Sequence, residues 1–78
     1  MSEPGVLTIW TVYENPEDLP GWFVLRGHDI VPGQLEPRPR DEWHAALTLD
    51  HVRIAVPPGC TRIDRSPVDD PVIVETWI

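Results

Sequence analysis

The segment 57–78, PPGCTRIDRSPVDDPVIVETWI, decides the predicted fold. Residues 60–65 alternate between polar and apolar side chains, residues 66–71 are rich in Pro and Asp, and residues 72–78 are strongly apolar. This order of alternating stretch, turn formers and apolar stretch is typical of a β-hairpin. A strongly apolar closing strand favours a position inside a sheet over an open edge. The segment therefore predicts a sheet with an interior last strand.

Two further strands are predicted in the N-terminal half. Residues 7–13, LTIWTVY, alternate and are rich in β-branched and aromatic side chains, which indicates a strand. Residues 14–21, ENPEDLPG, contain so many turn formers that they predict an acidic loop. Residues 22–26, WFVLR, begin a second strand that is expected to run towards Ile30, with Gly27 as a bulge or a point of close approach.

The middle of the chain is less determined. Residues 31–40, VPGQLEPRPR, predict a Pro-rich connection without a regular element. Residues 41–56 allow three interpretations: a short helix capped by Thr48, a strand built on the alternation around Ile54, or one longer helix that begins at Asp41. The hydrophobic pattern alone does not choose among them.

Both ends of the chain carry distinctive motifs. Residues 9–26, IWTVYENPEDLPGWFVLR, and residues 62–78, RIDRSPVDDPVIVETWI, resemble a family of short, uncharacterised proteobacterial proteins. Those proteins open with WTVYD and a PxDxP turn before FVxR, and they close with RSPxDDP and an apolar strand that ends in WL or similar. The resemblance implies a helix just before Pro-Pro-Gly, which favours a short strand near 43–47 followed by a helix at 48–56. It implies no activity.

These elements predict one α+β domain over residues 1–78. Its expected core is a mainly antiparallel sheet of four or five strands with one short helix on one face, in the order β-β-β-α-β-β. Residues 1–6 are expected to be a flexible N-terminus. Four tryptophans are predicted to be core residues, because each can bury roughly 150–250 Å². They are Trp10, Trp22, Trp43 and Trp77.

Charge excludes some classes of function. The 78 residues carry 13 acidic side chains, six arginines and no lysine, for a net charge of −7. Binding of nucleic acid through a basic face is therefore disfavoured. The net negative charge is concentrated in residues 1–20 and 66–78, which contain acids and no base, so pairing of the first and last strands would create one negative end.

The expected location is the cytoplasm. Cys60 is the only cysteine, which excludes an internal disulfide, and no signal-peptide pattern or apolar membrane span is present in the sequence.

The residues give no catalytic, cofactor or metal signature. His28 and Asp29 are neighbours and would point to opposite faces of a strand, while His44 and His51 are too far apart in sequence for a simple metal pair. The Asp69-Asp70 turn is predicted to be capped by its own side chains. A non-enzymatic protein is therefore expected, with no cofactor.

A protein–protein interaction module is the favoured function, because one short helix cannot cover both faces of such a sheet. The partner is expected to be another protein or a second copy of this chain. An acidic phage- or plasmid-type inhibitor or nucleic-acid mimic that binds a basic host protein is the alternative. A small anion-binding domain built on arginines is the third hypothesis. The predicted interaction surface consists of Trp10, Glu14, Glu17, Asp18, Trp22, Arg26, Arg62, Arg65, Asp69, Asp70 and Trp77.

Overall fold

A computed structural model describes residues 5–78, so most of the predicted flexible N-terminus at 1–6 lies outside the described residues. The chain forms an α+β domain in the predicted order β-β-β-α-β-β. Its elements are β1 (Leu7–Glu14), β2 (Phe23–Ile30), β3 (Arg38–Ala46), α1 (Leu49–Arg53), β4 (Arg62–Asp64) and β5 (Ile73–Trp77).

The five strands form one antiparallel sheet in the order β3-β2-β1-β5-β4. The closing strand β5 lies between β1 and β4, which confirms its predicted interior position. The first and last strands pair directly, with Trp10 opposite Trp77 and Val12 opposite Glu75. The predicted hairpin of β4 and β5 is also present, with Ile63 opposite Thr76.

The helix lies on one face because of the strand order. Since β3 and β4 are the opposite edges of the sheet, the chain between them must cross one whole face, and α1 begins that crossing. The Thr48 hydroxyl accepts a hydrogen bond from the His51 backbone at 3.2 Å, as predicted for the cap. The α-helix ends at Arg53, shorter than the predicted 48–56, and residues 54–56 continue with tighter i to i+3 bonds.

Strand β3 corrects the prediction for residues 31–40. The connection remains irregular through a turn in which the Gln34 amide donates to the Val31 carbonyl, but β3 then begins at Arg38 and includes Pro39. An edge strand tolerates Pro because it has one unpaired side. The pairing of β2 with β3 shifts register between Arg26 and His28, so the irregularity predicted at Gly27 is present.

The core lies between the sheet and α1. Trp10, Val12, Leu25 and Val52 form its buried cluster. Gly27 lies beside it, and a Cβ atom there would come within 2.9 Å of the Trp10 ring, so the predicted close approach is also present.

The prediction of four core tryptophans is right for Trp10 and only partly right for Trp77, which packs against the core cluster while half-buried. It is wrong for Trp43, which is 50% exposed, and for Trp22, which is 37% exposed. The register of β3 places Trp43 on the face opposite the core, and Trp22 lies in a loop, so neither side chain packs in the core.

Candidate functional site

The sheet face opposite α1 is the first candidate surface, and we call it the open face. Strand register places on it Leu7, Ile9, Thr11 and Tyr13 of β1, Val24, Arg26, His28 and Ile30 of β2, Trp43 of β3, Ile63 of β4 and Thr76 of β5. Leu7 is 46% exposed and Ile63 is 45% exposed. In the described part of the chain, no helix packs on this face.

A polar ladder runs across part of the open face. The guanidinium of Arg26 lies 5.5 Å from the ring centroid of Trp43, the residue opposite it on β3. The same group donates to Asp18 in the β1–β2 loop at 2.9 Å. The ladder of Asp18, Arg26 and Trp43 therefore joins the acidic loop to the apolar face.

The sheet edges are poor surfaces for association. Strand β4 has three residues, and β3 combines Pro39, the irregular register and four charged side chains between Arg38 and Glu42. Short strands, proline, bulges and charges are the features by which proteins block pairing at sheet edges. The open face is consequently the larger unprotected surface of the sheet.

The two acidic segments meet at one end of the sheet, which we call the acidic end. The Glu14 amide donates to the Val72 carbonyl at 2.8 Å, which brings the β1–β2 loop beside the turn before β5. The carboxylates of this end are those of Glu14, Glu17, Asp18, Asp69 and Asp70. Within residues 5–78, Asp18 alone among them forms an ion pair with an arginine.

The turn before β5 is capped by its own side chains, as predicted. The Asp69 carboxylate accepts the Ser66 amide at 3.0 Å, and the Asp70 carboxylate accepts the Val72 amide at 3.1 Å. These bonds hold the two carboxylates beside the β1–β2 loop.

The structure does not bring the three arginines of the anion hypothesis together. Arg26 lies on β2, whereas Arg62 lies on β4 with two strands between them, and Arg65 follows β4 in the exposed turn. Arg62 pairs with Asp64 at 3.1 Å.

The tryptophans of the predicted interaction surface, Trp10, Trp22 and Trp77, also lie on different surfaces. Trp10 and Trp77 are opposite each other on the helix-covered face. Trp22 closes the β1–β2 loop, where its carbonyl accepts the Asn15 amide at 2.9 Å. Trp43, which the sequence did not assign to the interaction surface, is instead the exposed tryptophan of the open face. Its position opposite Arg26 follows from a register that the sequence pattern did not determine.

Beneath the helix lies a buried ion pair that the sequence did not predict. The side chain of Glu75 is 2% exposed and accepts hydrogen bonds from Arg53 at 2.6 and 3.0 Å and from the Trp77 indole at 2.7 Å. Burial by itself raises the pKa of Glu75, but the hydrogen bonds and charges of Arg53, with those of its other neighbours, outweigh burial and hold the pKa below its usual value. Glu75 is thus charged and fully partnered.

A second buried carboxylate, Asp29, lies at the far end of the same face. It accepts hydrogen bonds from the Thr8 hydroxyl at 2.7 Å, from Arg40 at 3.2 Å and from Arg38 at 3.4 Å. The Thr8 bond and the two arginines lower the pKa of Asp29 against the opposing effect of burial. This group assembles from three strands, so spacing along the chain gave no signal of it.

The described residues 5–78 contain no group of three His, Cys, Asp or Glu side chains placed to hold a metal ion. No helix in that range has the length and apolar character needed to cross a bilayer. Comparisons with protein-family models, with curated proteins and with solved structures found no match to this chain. The resemblance of its two ends to short proteobacterial proteins stays a prediction.

Proposed function

We propose that this chain is a non-enzymatic protein–protein interaction module of the bacterial cytosol, which binds its partner through the open face and the acidic end. The observation that carries the proposal is a sheet face on which no helix packs and on which Leu7, Trp43 and Ile63 are exposed, while Val24 and Thr11 of the same face are buried. These exposed apolar side chains lie on β1, β3 and β4, on the same face as the charged Arg26, and a face of this composition supports partner binding. The partner is expected to present an apolar strip with basic residues beside it, because the acidic end borders the face.

The size of the surface supports a partner that contacts both regions. Five strands about 4.8 Å apart, with a mean length of about seven residues, give a face of about 20 by 23 Å, or about 450 Å² in projection. A standard interface buries about 800 Å² per partner. The acidic end supplies the additional area and complements a basic partner.

An acidic inhibitor of a basic host protein is the second candidate, and the adjacency of the two acidic segments favours it. The two candidates differ in their dependence on salt. Affinity that comes mainly from the acidic end falls steeply as ionic strength rises, whereas affinity from the open face changes little. A second copy of this chain is a further candidate partner for the open face, although a charge of −7 on each copy opposes self-association.

Substitution on the open face tests the proposal. The double variant Leu7→Lys, Ile63→Lys adds two charges to the open face at half-exposed positions. The control is Leu35→Lys, Ile54→Lys, which replaces two exposed apolar residues away from that face. Affinity capture from the native host with quantitative identification, together with sedimentation of the pure protein, reports partner binding and self-association.

We expect the wild-type protein and the control to retain the same partner or the same dimer, and the open-face variant to lose it. Equal binding by all three proteins would contradict a role for the open face. If binding is unaffected by Leu7→Lys, Ile63→Lys but is abolished by salt, the inhibitor hypothesis replaces the proposal.

A further inference from the structure

Two clefts lie side by side along β3, on the side of the sheet that faces α1. The first has a volume of about 560 Å³ and is lined by Asp29, Arg38, Pro39, Arg40, Asp41 and Glu42. The second has a volume of about 420 Å³ and shares Arg40 and Glu42 with the first. Both volumes fall in the range of small-molecule sites, about 300–1,000 Å³. We call the pair the β3 groove.

The arginines of the groove are held in place by Asp29, which is 6% exposed. Arg38 uses its Nη2 atom and Arg40 its Nη1 atom for this carboxylate, while Thr8 fixes the carboxylate from the other side. A guanidinium has five N–H donors, so each arginine keeps donors for a ligand. Two guanidinium groups fixed by a buried carboxylate form a pre-organised site for an anionic group.

The net charge of the groove narrows the class of ligand. Asp29 already neutralises one of the two arginines, and Asp41 and Glu42 add two negative charges at the lining. A simple anion would meet attraction from the arginines and repulsion from Asp41 and Glu42. A ligand that carries both a carboxylate and an ammonium group complements both sets of side chains.

The second cleft adds an apolar wall. Trp10 lies at its base with its ring 5.7 Å from the Arg40 guanidinium, and Pro57 and Cys60 line its sides. The ring lies against the strand because Gly27 has no side chain. An apolar or aromatic group therefore fits beside the charged groups.

We propose that the β3 groove binds a small zwitterion, an α-amino acid with an apolar or aromatic side chain. The ligand carboxylate lies at Arg38 and Arg40, its ammonium group at Glu42 and Asp41, and its side chain against Trp10 and Pro57. Most of the groove is separate from the open face, so this site does not depend on the proposed interaction function.

Three ligands that differ by one charged group test the proposal. L-Phenylalanine carries both groups, 3-phenylpropionate lacks the ammonium, and phenethylamine lacks the carboxylate. Each is titrated into the full chain at millimolar concentrations, with calorimetry for affinity and the four tryptophan indole N–H signals in nitrogen–proton spectra for location. We expect L-phenylalanine to bind at least about tenfold more tightly than either analogue, because each analogue lacks one charged contact with the site. The Trp10 signal should shift while the Trp22 signal does not.

Two variants locate the contacts. Arg38→Gln removes one half-exposed guanidinium and leaves Arg40 and Thr8 on Asp29, and its control is Arg65→Gln in the distant turn. We expect Arg38→Gln to lower the affinity for L-phenylalanine at least about tenfold and Arg65→Gln to leave that affinity unchanged. Glu42→Gln tests the site even if Arg38→Gln does not fold. This variant should bind L-phenylalanine more weakly and 3-phenylpropionate more tightly than the wild-type protein does.

Several results would overturn the assignment. The assignment is wrong if L-phenylalanine does not bind at millimolar concentration. It is also wrong if L-phenylalanine and 3-phenylpropionate bind equally tightly. A Glu42→Gln variant with unchanged preference between those two ligands would likewise contradict the placement of the ammonium group.

Discussion

The buried ion pair of Arg53 and Glu75 gives a prediction whose size and pH dependence follow from the structure. Arg53→Met keeps most of the side-chain volume and removes the charge that faces the Glu75 carboxylate. Breaking a buried pair by removing one partner costs about 3–5 kcal/mol. We expect about 3 kcal/mol, the lower end, because the Arg53 side chain is 34% exposed and the Trp77 indole and Arg62 remain near the carboxylate.

That cost is large for so small a domain. At about 0.05–0.15 kcal/mol per residue, a chain of this length has a free energy of unfolding of about 4–12 kcal/mol. The double variant Arg53→Met, Glu75→Leu replaces the pair by apolar side chains and leaves no buried charge. We expect its stability to return to within about 1 kcal/mol of the wild-type protein. If Arg53→Met alone does not fold, folding of the double variant shows that the orphaned carboxylate is the cause.

The pH dependence has a defined sign. In the wild-type protein the folded-state pKa of Glu75 is lowered, so its stabilising contribution is present above about pH 4.3, the ordinary value, and is lost as pH falls through the lowered pKa. In Arg53→Met, burial dominates and raises that pKa, so the destabilisation diminishes as Glu75 takes up a proton. The difference in unfolding free energy between the two proteins should therefore narrow from pH 7 towards pH 4.

Urea unfolding followed by tryptophan fluorescence measures these free energies. Arg62→Met is the control, because Arg62 is half-exposed and 3.9 Å from Glu75, and its loss should cost less than about 1 kcal/mol. The reasoning is refuted if Arg53→Met costs no more than Arg62→Met, or if the double variant is no more stable than Arg53→Met.

Two further predictions concern single positions in the fold. Gly27→Ala places a Cβ atom 2.9 Å from the Trp10 ring and 2.8 Å from Arg40 Cδ, so we expect a loss of about 1–3 kcal/mol and a lower melting temperature; an unchanged melting temperature would show that the ring moves freely. Thr48→Ala removes the cap of α1 and should cost about 1 kcal/mol in urea unfolding, whereas Thr48→Ser keeps the hydroxyl and should cost little; equal losses in the two variants would contradict the capping role.

The order of the elements along the chain could be predicted from the sequence better than the surfaces of the domain. Alternation at 7–13 and the apolar run at 72–78 predicted β1 and β5 because both strands lie inside the sheet, where periodicity is strong. The strand predicted near 43–47 begins later than β3, which starts at Arg38, because the charged and proline residues at the start of β3 resemble a loop. Those residues are typical of an edge strand, whose composition reflects protection from pairing more than burial.

The two carboxylate clusters of the helix-covered face could not be predicted from the sequence. Asp29 meets Thr8 and Arg40 only after three strands pair, and Glu75 meets Arg53 only after the helix crosses the sheet. Separations such as the 22 residues between Arg53 and Glu75 carry no periodic signal. The prediction that Trp43 is a core residue was wrong for the same reason, since the face of Trp43 depends on the register of β3.

The distribution of side chains between the two faces argues that the sheet is shaped for more than its own stability. The covered face buries two carboxylates, and no buried side-chain nitrogen or oxygen in residues 5–78 lacks a hydrogen-bond partner. The uncovered face carries Leu7, Ile63 and Trp43 in water. The isolated domain would be more stable if the charged groups were exposed and these apolar groups were buried. A buried ion pair contributes little net stability, and an exposed apolar group contributes less than a buried one. This arrangement supports both proposals, partner binding through the open face and ligand binding in the β3 groove.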